Sequence, residues 1–390
     1  MDTARRFSSG SLSPRAGSPE PAPIETLTSF PSSWLAARST GAMDPGSVLF
    51  HAPSAVFQSP GGGENQLVQT GRHLEELGQN VRPFNAWTDR LEDARLLHLF
   101  GMSREGLELA RVARARHVRV VLSPICWVEP RAIAAQAPNR AQGAWQLAKW
   151  GLKSAAPRWP TWRRALLRLA HAVLPNSKAE ARQLVRLFGT DPKRVHVVPN
   201  GVSQRFASSD PAPFRARFGR RGFVLYTGRI EPRKNVHTLV RATRTLGLPL
   251  VVFGDAPAGL EEYRKRCVEA AGPQATWLSA VEHDDPLLAS AYAAARVFAL
   301  PSWFETPGLS ALEAALAGCA VVLTPNGSTR EYFGDRVEYA RPDRPSEIRD
   351  AIVRAWVGGP QPGLASHVRD HFLWPAVARR TAEVYDQIAP

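Results

Sequence analysis

Short apolar runs alternate with stretches of helical periodicity from residue 46 onward, and the alternation occurs twice. The first series reads "SVLFHA", a Gly-rich turn, a helix through "ENQLVQTGRHLEELG", then "LLHLFG" and "VRVVLSPI". It continues through "AHAVLPNSKAEARQLVRLFG", where Ser177 and Glu180 have capping-box spacing, to "RVHVVPNGV". The second series runs "GFVLYTGR", "LPLVVFGD", "ATWLSAV", "RVFALPS" and "CAVVLTP". A strand that returns through a helix re-enters the sheet parallel to itself, so each series predicts a parallel α/β layer. The fold class expected is α/β, two doubly wound parallel-sheet domains facing each other across a cleft.

The Asn200-Gly201 turn marks the boundary. The expected division is 46–205, 206–370, and a last amphipathic helix over 371–390 that packs back toward the N-terminal domain. Residues 1–45, rich in Ser, Pro, Ala and Gly without periodicity, read as a disordered extension. Met43 sits just before the first strand and is a candidate start of translation.

No apolar run approaches the roughly 20 residues of a membrane span, and the N-terminus lacks a signal-peptide core, so a cytoplasmic protein is expected. Cys126, Cys267 and Cys319 have neither metal-ligand nor disulfide spacing. The net charge of +14 is unevenly placed. Residues 46–205 carry 23 basic against 11 acidic side chains, and residues 206–390 carry 22 against 20. The basic half suits an anionic partner, whether nucleic acid or an anionic membrane.

Chemistry concentrates in four places. Gly61 to Gly63 lie between the first strand and first helix, where glycines let a backbone approach a ligand and helix amides meet a phosphate. A plain surface turn reads equally well. In "YTGRIEPRKNVHTLVRA", Arg229 ends a strand and Lys234 opens the next helix, at the sheet edge where open α/β folds bind ligands. The field suits a diphosphate, although solvated loop charges would look the same. The chain has no Asp-X-Asp, so no metal is expected and fixed cations would replace it. In "FALPSWFETPGLSALEAALAGCAVVLTPNG", Ser310 and Glu313 fit a capping box, which leaves Glu305, Pro307 and Gly308 unexplained. Carboxylates accept bidentate hydrogen bonds from vicinal hydroxyls, so two acids beside an anion site suggest a nucleotide sugar.

Taken in order, "SPGGGE", "VLPNSKAEA", "VPNGV", "GRIEPRKN", "PSWFETPGL" and "STREYFGD" resemble the retaining glycosyltransferases of family 4, which have the GT-B fold. Glu305 and Glu313 fit that family's pattern of two glutamates with seven residues between them. The resemblance covers most of residues 46–390 and implies a nucleotide-sugar donor, no cofactor and no metal. It gives Arg229 and Lys234 to the donor diphosphate, Glu305 to the donor sugar and Glu313 to the ribose hydroxyls. These make Glu305, Arg229 and Lys234 the candidate catalytic residues. It puts Gly308 and Leu309, after Pro307, against sugar or phosphate, Gly62 and Gly63 over the phosphates, and the base near Gly254 and Val281. Many relatives have a histidine near the reacting sugar where this chain has Ser123, the tentative acceptor-side residue. In such enzymes the leaving phosphate is thought to take the acceptor's proton, so a protein base is not required.

The fourth place is residues 145–170, "WQLAKWGLKSAAPRWPTWRRALLRLA", with four tryptophans among Lys149, Lys153, Arg158, Arg163, Arg164 and Arg168. No acid occurs in residues 130–179. An interfacial, anionic-membrane-binding surface combines aromatic anchors and cations in this way, and so do two core-packed helices with basic faces. The reading favoured by the whole sequence is a retaining glycosyltransferase in polysaccharide or glycolipid assembly, peripheral at the inner face of the membrane. Its partners would be a nucleotide sugar and a carbohydrate or lipid-linked acceptor, with no nucleic acid. The alternatives are a nucleotide-sugar epimerase or phosphorylase of the same fold, or a basic nucleic-acid-binding protein.

Overall fold

The computed structural model describes residues 46–54, 56–58, 61–136, 139–155, 161–219 and 222–389. The extension 1–45, with Met43, lies outside them, as do Arg158, Trp159 and the side chain of Lys153.

Two parallel sheets form. The first has β1 (Ser47–His51), β2 (Val81–Pro83), β3 (Ala94–Phe100), β4 (Arg119–Ser123) and β5 (Ala172–Val173), in the order β2-β1-β3-β4-β5. The second has β6 (Val224–Thr227), β7 (Leu250–Phe253), β8 (Ala275–Leu278), β9 (Val297–Leu300), β10 (Ala320–Leu323) and β11 (Glu338–Tyr339), in the order β11-β10-β9-β6-β7-β8. The sequence pattern did not reveal β2 or β11, edge strands of three and two residues that carry no period of their own. "RVHVV" makes only an isolated bridge, Val173 with Val195.

The strands are apolar on both faces because helices cover both. In the first sheet Val48, Phe50, Leu96 and Phe100 point to one core, while Leu49, Leu97 and Leu99 point to the other. The first of these cores is completed from the far end of the chain. Trp374, Val377, Ala378, Val384 and Tyr385 of the helix Trp374–Ile388 pack on it, so the C-terminal helix belongs to the N-terminal domain. The second sheet has a single core running from Val202 to Phe372.

The chain thus passes between domains twice, and the two passages pair. Val202 donates to the Phe372 carbonyl at 2.7 Å, and Trp374 donates to that of Val202 at 3.3 Å. Gly201 is required there, because a Cβ would lie 2.6 Å from the Trp374 ring. Each sheet also has a point where strand order reverses, between β1 and β3 in the first and between β6 and β9 in the second. In open α/β sheets such points leave a crevice beyond the strand ends.

Candidate active site

The loops leaving β6 and β9 carry the expected charged residues to the second sheet's switch point. After β6 the chain turns through Gly228 (φ 137°) to Arg229, whose carbonyl accepts from the Tyr226 hydroxyl at 2.6 Å. A short turn, Pro232–Lys234, follows, and Asn235 (φ 57°) donates to the carbonyls of Pro301 and Pro342 at 3.1 and 3.0 Å. That pin brings Lys234 against the β9 loop, where its Nζ lies 2.7 Å from Glu305 Oε1. Burial alone would raise the Glu305 carboxyl, but Lys234 and Arg233 hold it below its ordinary value. Burial lowers the Lys234 ammonium, with Glu305 opposing. Sequence reading missed Glu231 and Arg233. Glu231 sits between Arg233, at 2.8 Å, and Arg229, at 3.8 Å. The alternating signs in "RIEPRK" were the available signal.

Glu305 is fixed through its backbone as well. Its N–H donates to Asn326, and its carbonyl accepts from Ser328 at 2.9 Å, beside Gly327. The cis Thr306-Pro307 peptide leads to Gly308 (φ 89°), the N-cap of the helix Leu309–Leu316. This overturns the capping-box reading of Ser310 and Glu313. A glycine in the left-handed region starts the helix earlier, so Glu313 falls in the second turn and faces inward. It is buried, with Oε1 2.8 Å from His283 Nε2 and Oε2 accepting from the Tyr292 hydroxyl at 2.7 Å. Burial would raise Glu313 too, and His283 leads the groups that instead hold it low. Gly254 closes this side, since a Cβ on it would lie 2.1 Å from the Gly228 carbonyl oxygen. Val281 lies half-buried on the same core.

The first domain meets this group with its glycine loop. The helix Gly62–Glu76 starts after Gly61, and the Gly61 amide is taken by Glu64 Oε2 at 2.6 Å, one donor fewer for an anion than the sequence suggested. A Cβ on Gly61 would lie 3.5 Å from Arg229 Cζ, on Gly62 3.6 Å from Leu309 Cδ1, and on Gly63 3.5 Å from Ile125 Cδ1. Three glycines thus touch the loops after β6, β9 and β4. Cβ atoms on Gly61 and Gly62 would meet the second domain at van der Waals distance, and one on Gly63 would meet Ile125 of its own domain.

Ser123 is not brought into this group. At the end of β4 it is buried, with its hydroxyl 2.9 Å from His98 Nε2, while His98 Nδ1 lies 2.6 Å from the Tyr385 hydroxyl. Burial keeps His98 neutral, pushed down to about 3. Ile125 (φ 46°), two residues on, is the one that reaches the glycine loop. Its loop is held by Glu180, which accepts from the amides of Cys126 at 2.6 Å and Asn176 at 2.8 Å; burial pushes this carboxyl up to about 7. Ser177 caps Glu180 N as its spacing predicts, but the reciprocal bond goes to Asn176.

The domains are tied at further points. Glu331 accepts from the amides of Lys178 and Ala179 at 2.7 and 3.1 Å. Tyr332 donates to the Asn176 carbonyl at 2.6 Å, and Arg72 pairs with Asp284 at 2.8 Å.

Comparison with known proteins gives this geometry a lineage. Residues 221–356 match the model of the glycosyl transferases group 1, and residues 33–201 match the glycosyl transferase 4-like domain. The chain belongs to the group 1 glycosyltransferases. It is 32% identical over 225 residues to a D-inositol 3-phosphate glycosyltransferase of Mycobacterium sp. (strain JLS), covering 55% of this chain and 47% of that protein. It is 36% identical over 168 residues to the protein of that description from Mycobacteroides abscessus, covering 40% and 38%. The chain therefore spans about half the length of these relatives or less. Among solved structures, sucrose-phosphate synthase from Thermosynechococcus elongatus superposes with a TM-score of 0.68 at 19% identity, over 88% of this chain and 99% of that one. Anabaena HepE in complex with UDP-glucose gives 0.67 at 17%, over 87% and 99%. These likenesses establish the GT-B fold. In this chain the glycine loop of the first domain faces Arg229 and Leu309 of the second.

Proposed function

We propose that this group 1 glycosyltransferase transfers a sugar from a nucleoside diphosphate donor, with retention and without a metal ion, to an acceptor held by the N-terminal domain. The observation that carries the reading is the meeting of the glycine loop with Arg229 and Leu309, flanked by Glu305–Lys234 on one side and Glu313 on the other. In this reading the donor diphosphate would lie at the glycine loop and the cations, with its ribose at Glu313 and its sugar at Glu305. Arg229 and Lys234 would stabilise charge building on the leaving phosphate, and that phosphate would receive the acceptor's proton on the same face. Arg233 adds a third fixed cation, which favours metal-free neutralisation. The HepE complexes with UDP and glucose and with UDP-glucose support the donor class.

The acceptor reading is carbohydrate or lipid-linked, in polysaccharide or glycolipid assembly at the inner face of the membrane. Among the described residues no helix is long and apolar enough to cross a membrane. The helix Arg140–Ala155 exposes Trp145 (68%) and Leu152 (74%) beside Lys149, which favours surface docking. A groove of about 830 Å³ lined by Trp127, Val185, Val195, Arg182 and Arg186 offers apolar walls with cations, suited to an amphiphile. Not all of residues 145–170 can face a membrane. Trp150 and Trp162 pack on the core, and Arg164 is buried with its Nε donating to the Phe188 carbonyl at 2.6 Å.

The test is a thermal-shift screen over nucleotide sugars, followed by turnover with the stabilising donor in EDTA. A raised melting temperature and an α-linked product from an α-linked donor are expected. Phosphate-dependent cleavage without nucleotide would make the protein a phosphorylase instead.

A further inference from the structure

The carboxylate assigned to the ribose is already held on both oxygens. Besides His283 at Oε1 and Tyr292 at Oε2, the Tyr292 hydroxyl pairs with Thr227 Oγ1 at 2.6 Å. Phe206 stands edge-on to the His283 and Tyr292 rings at 5.7 and 5.5 Å. Glu313 therefore cannot rotate, and the unused lone pair of each oxygen points in a fixed plane. The His283 ring is itself oriented. Arg205 donates to the carbonyls of His283 and Asp285, and His283 Nδ1 faces Asp284 Oδ1 at 3.5 Å. The other Asp284 oxygen accepts from Arg72, which lies on the helix Gly62–Glu76 of the opposite domain. A line of polar contacts thus runs from the glycine-loop helix through Asp284 and His283 to Glu313, with the 3.5 Å approach of Asp284 to His283 as its longest link.

We propose that His283 is a positioning residue that sets Glu313 to receive a vicinal diol, and that Arg72–Asp284 makes this grip depend on docking of the N-terminal domain. The proposal rests on the donor reading above. A ribose presents two adjacent hydroxyls, and only a carboxylate fixed in their plane accepts from both at once. With His283 removed, Oε1 loses its tether and the second hydroxyl loses its distinct partner. Because Arg72 reaches across the cleft, whatever favours closure favours the grip, and by linkage the bound ribose favours closure equally.

The experiment is calorimetric titration of the wild-type protein, His283→Leu, His283→Gln and Arg72→Gln with UDP, GDP and ADP, with the 2′-deoxy form of each, and with inorganic pyrophosphate. The wild type is expected to prefer the best-bound ribonucleotide over its 2′-deoxy form by about ten-fold, one hydrogen bond's worth. His283→Leu should bring that preference close to parity while leaving pyrophosphate affinity unchanged. His283→Gln, whose amide still donates to Glu313, should retain most of it, which a merely structural role for the ring would not produce. Arg72→Gln should weaken the ribonucleotide and its deoxy form unequally, the former by several-fold, with no change in melting temperature. An undiminished preference in His283→Leu overturns the positioning role while the donor reading stands. Unchanged affinities in Arg72→Gln overturn the coupling. Failure of every nucleotide to bind the wild type overturns the donor reading and this role with it.

Discussion

The two domains share an architecture and differ in what they bring to the cleft. The second domain presents a paired set of charges: Arg229, Glu231, Arg233, Lys234 and Glu305 on loops at its switch point, Glu313 on the helix that follows, and His283 beyond β8. Apart from Arg72, the first presents mainly backbone and apolar surface, the glycine loop and Ile125, although it holds nearly all of the chain's net positive charge. Net charge is therefore a poor guide to where charge chemistry occurs. At the site in the nearly neutral domain, Arg229, Arg233 and Lys234 each have an acid beside them, which fixes their positions. The surplus cations of the basic domain lie mostly on its outer surface, where they act collectively on a distant partner.

The comparison breaks most visibly at Lys234. Because Glu305 is buried against it, Lys234→Met should destabilise the protein by about 3–5 kcal/mol as well as abolish turnover, since an uncompensated carboxylate remains. The double variant with Glu305→Gln should recover much of the stability and none of the activity. Denaturant unfolding checks both, and an unaffected single variant would show the pair to be solvated.

Arg229→Ala sharpens the contrast, because this half-exposed cation supports no core. Its loss should reduce turnover by about 2–4 kcal/mol at the transition state with an unchanged melting temperature. Equal losses of stability in the Arg229 and Lys234 variants would erase the distinction drawn between them.

A smaller effect comes from pH. His283 is faced by Glu313 and Asp284, with Arg205 opposing; burial would lower its pKa, but the two carboxylates outweigh it and raise it to about 9 from 6.5. The folded value lies above the unfolded one, so this contribution to stability is complete below about pH 6.5 and is lost as pH rises through about 9. Melting temperatures should fall over that window in the wild type more than in His283→Gln. Parallel curves would contradict the imidazolium.

The smallest effect expected concerns the basic surface. Reversal of Lys149 and Arg163 to Glu should release the protein from anionic vesicles at about 1 kcal/mol per charge, leaving nucleotide affinity intact. Arg164 is left out of that variant because its guanidinium holds a core carbonyl.

The gathering of Arg229, Lys234, Glu305 and Glu313 on one side of the second sheet was legible because these residue types stand at fixed spacings in two short stretches. "GRIEPRKN" and the Glu305–Glu313 interval survive as sequence patterns whatever packs behind them. Their partners were not legible. His283 is one histidine in the polar loop "EHDDP", and Arg72 is one arginine on a helix; only folding sets them in line with Glu313. The Ser310–Glu313 spacing misled because the left-handed Gly308 moved the helix start. Ser123 fell on the sheet face that His98 and Tyr385 occupy, an outcome set by a helix more than 250 residues later in the chain. The long apolar strands of the second sheet were readable, and two- and three-residue edge strands were not, since their pairing comes from neighbours.

Hydrogen exchange with and without the nucleotide sugar that stabilises the protein most tests the central claim directly. The account predicts protection at residues 61–66, 226–236 and 303–314 together, from both domains, with residues 140–152 unchanged. Protection confined to one domain, or absent from the glycine loop and the Arg229 loop, would contradict a donor held between the two switch points.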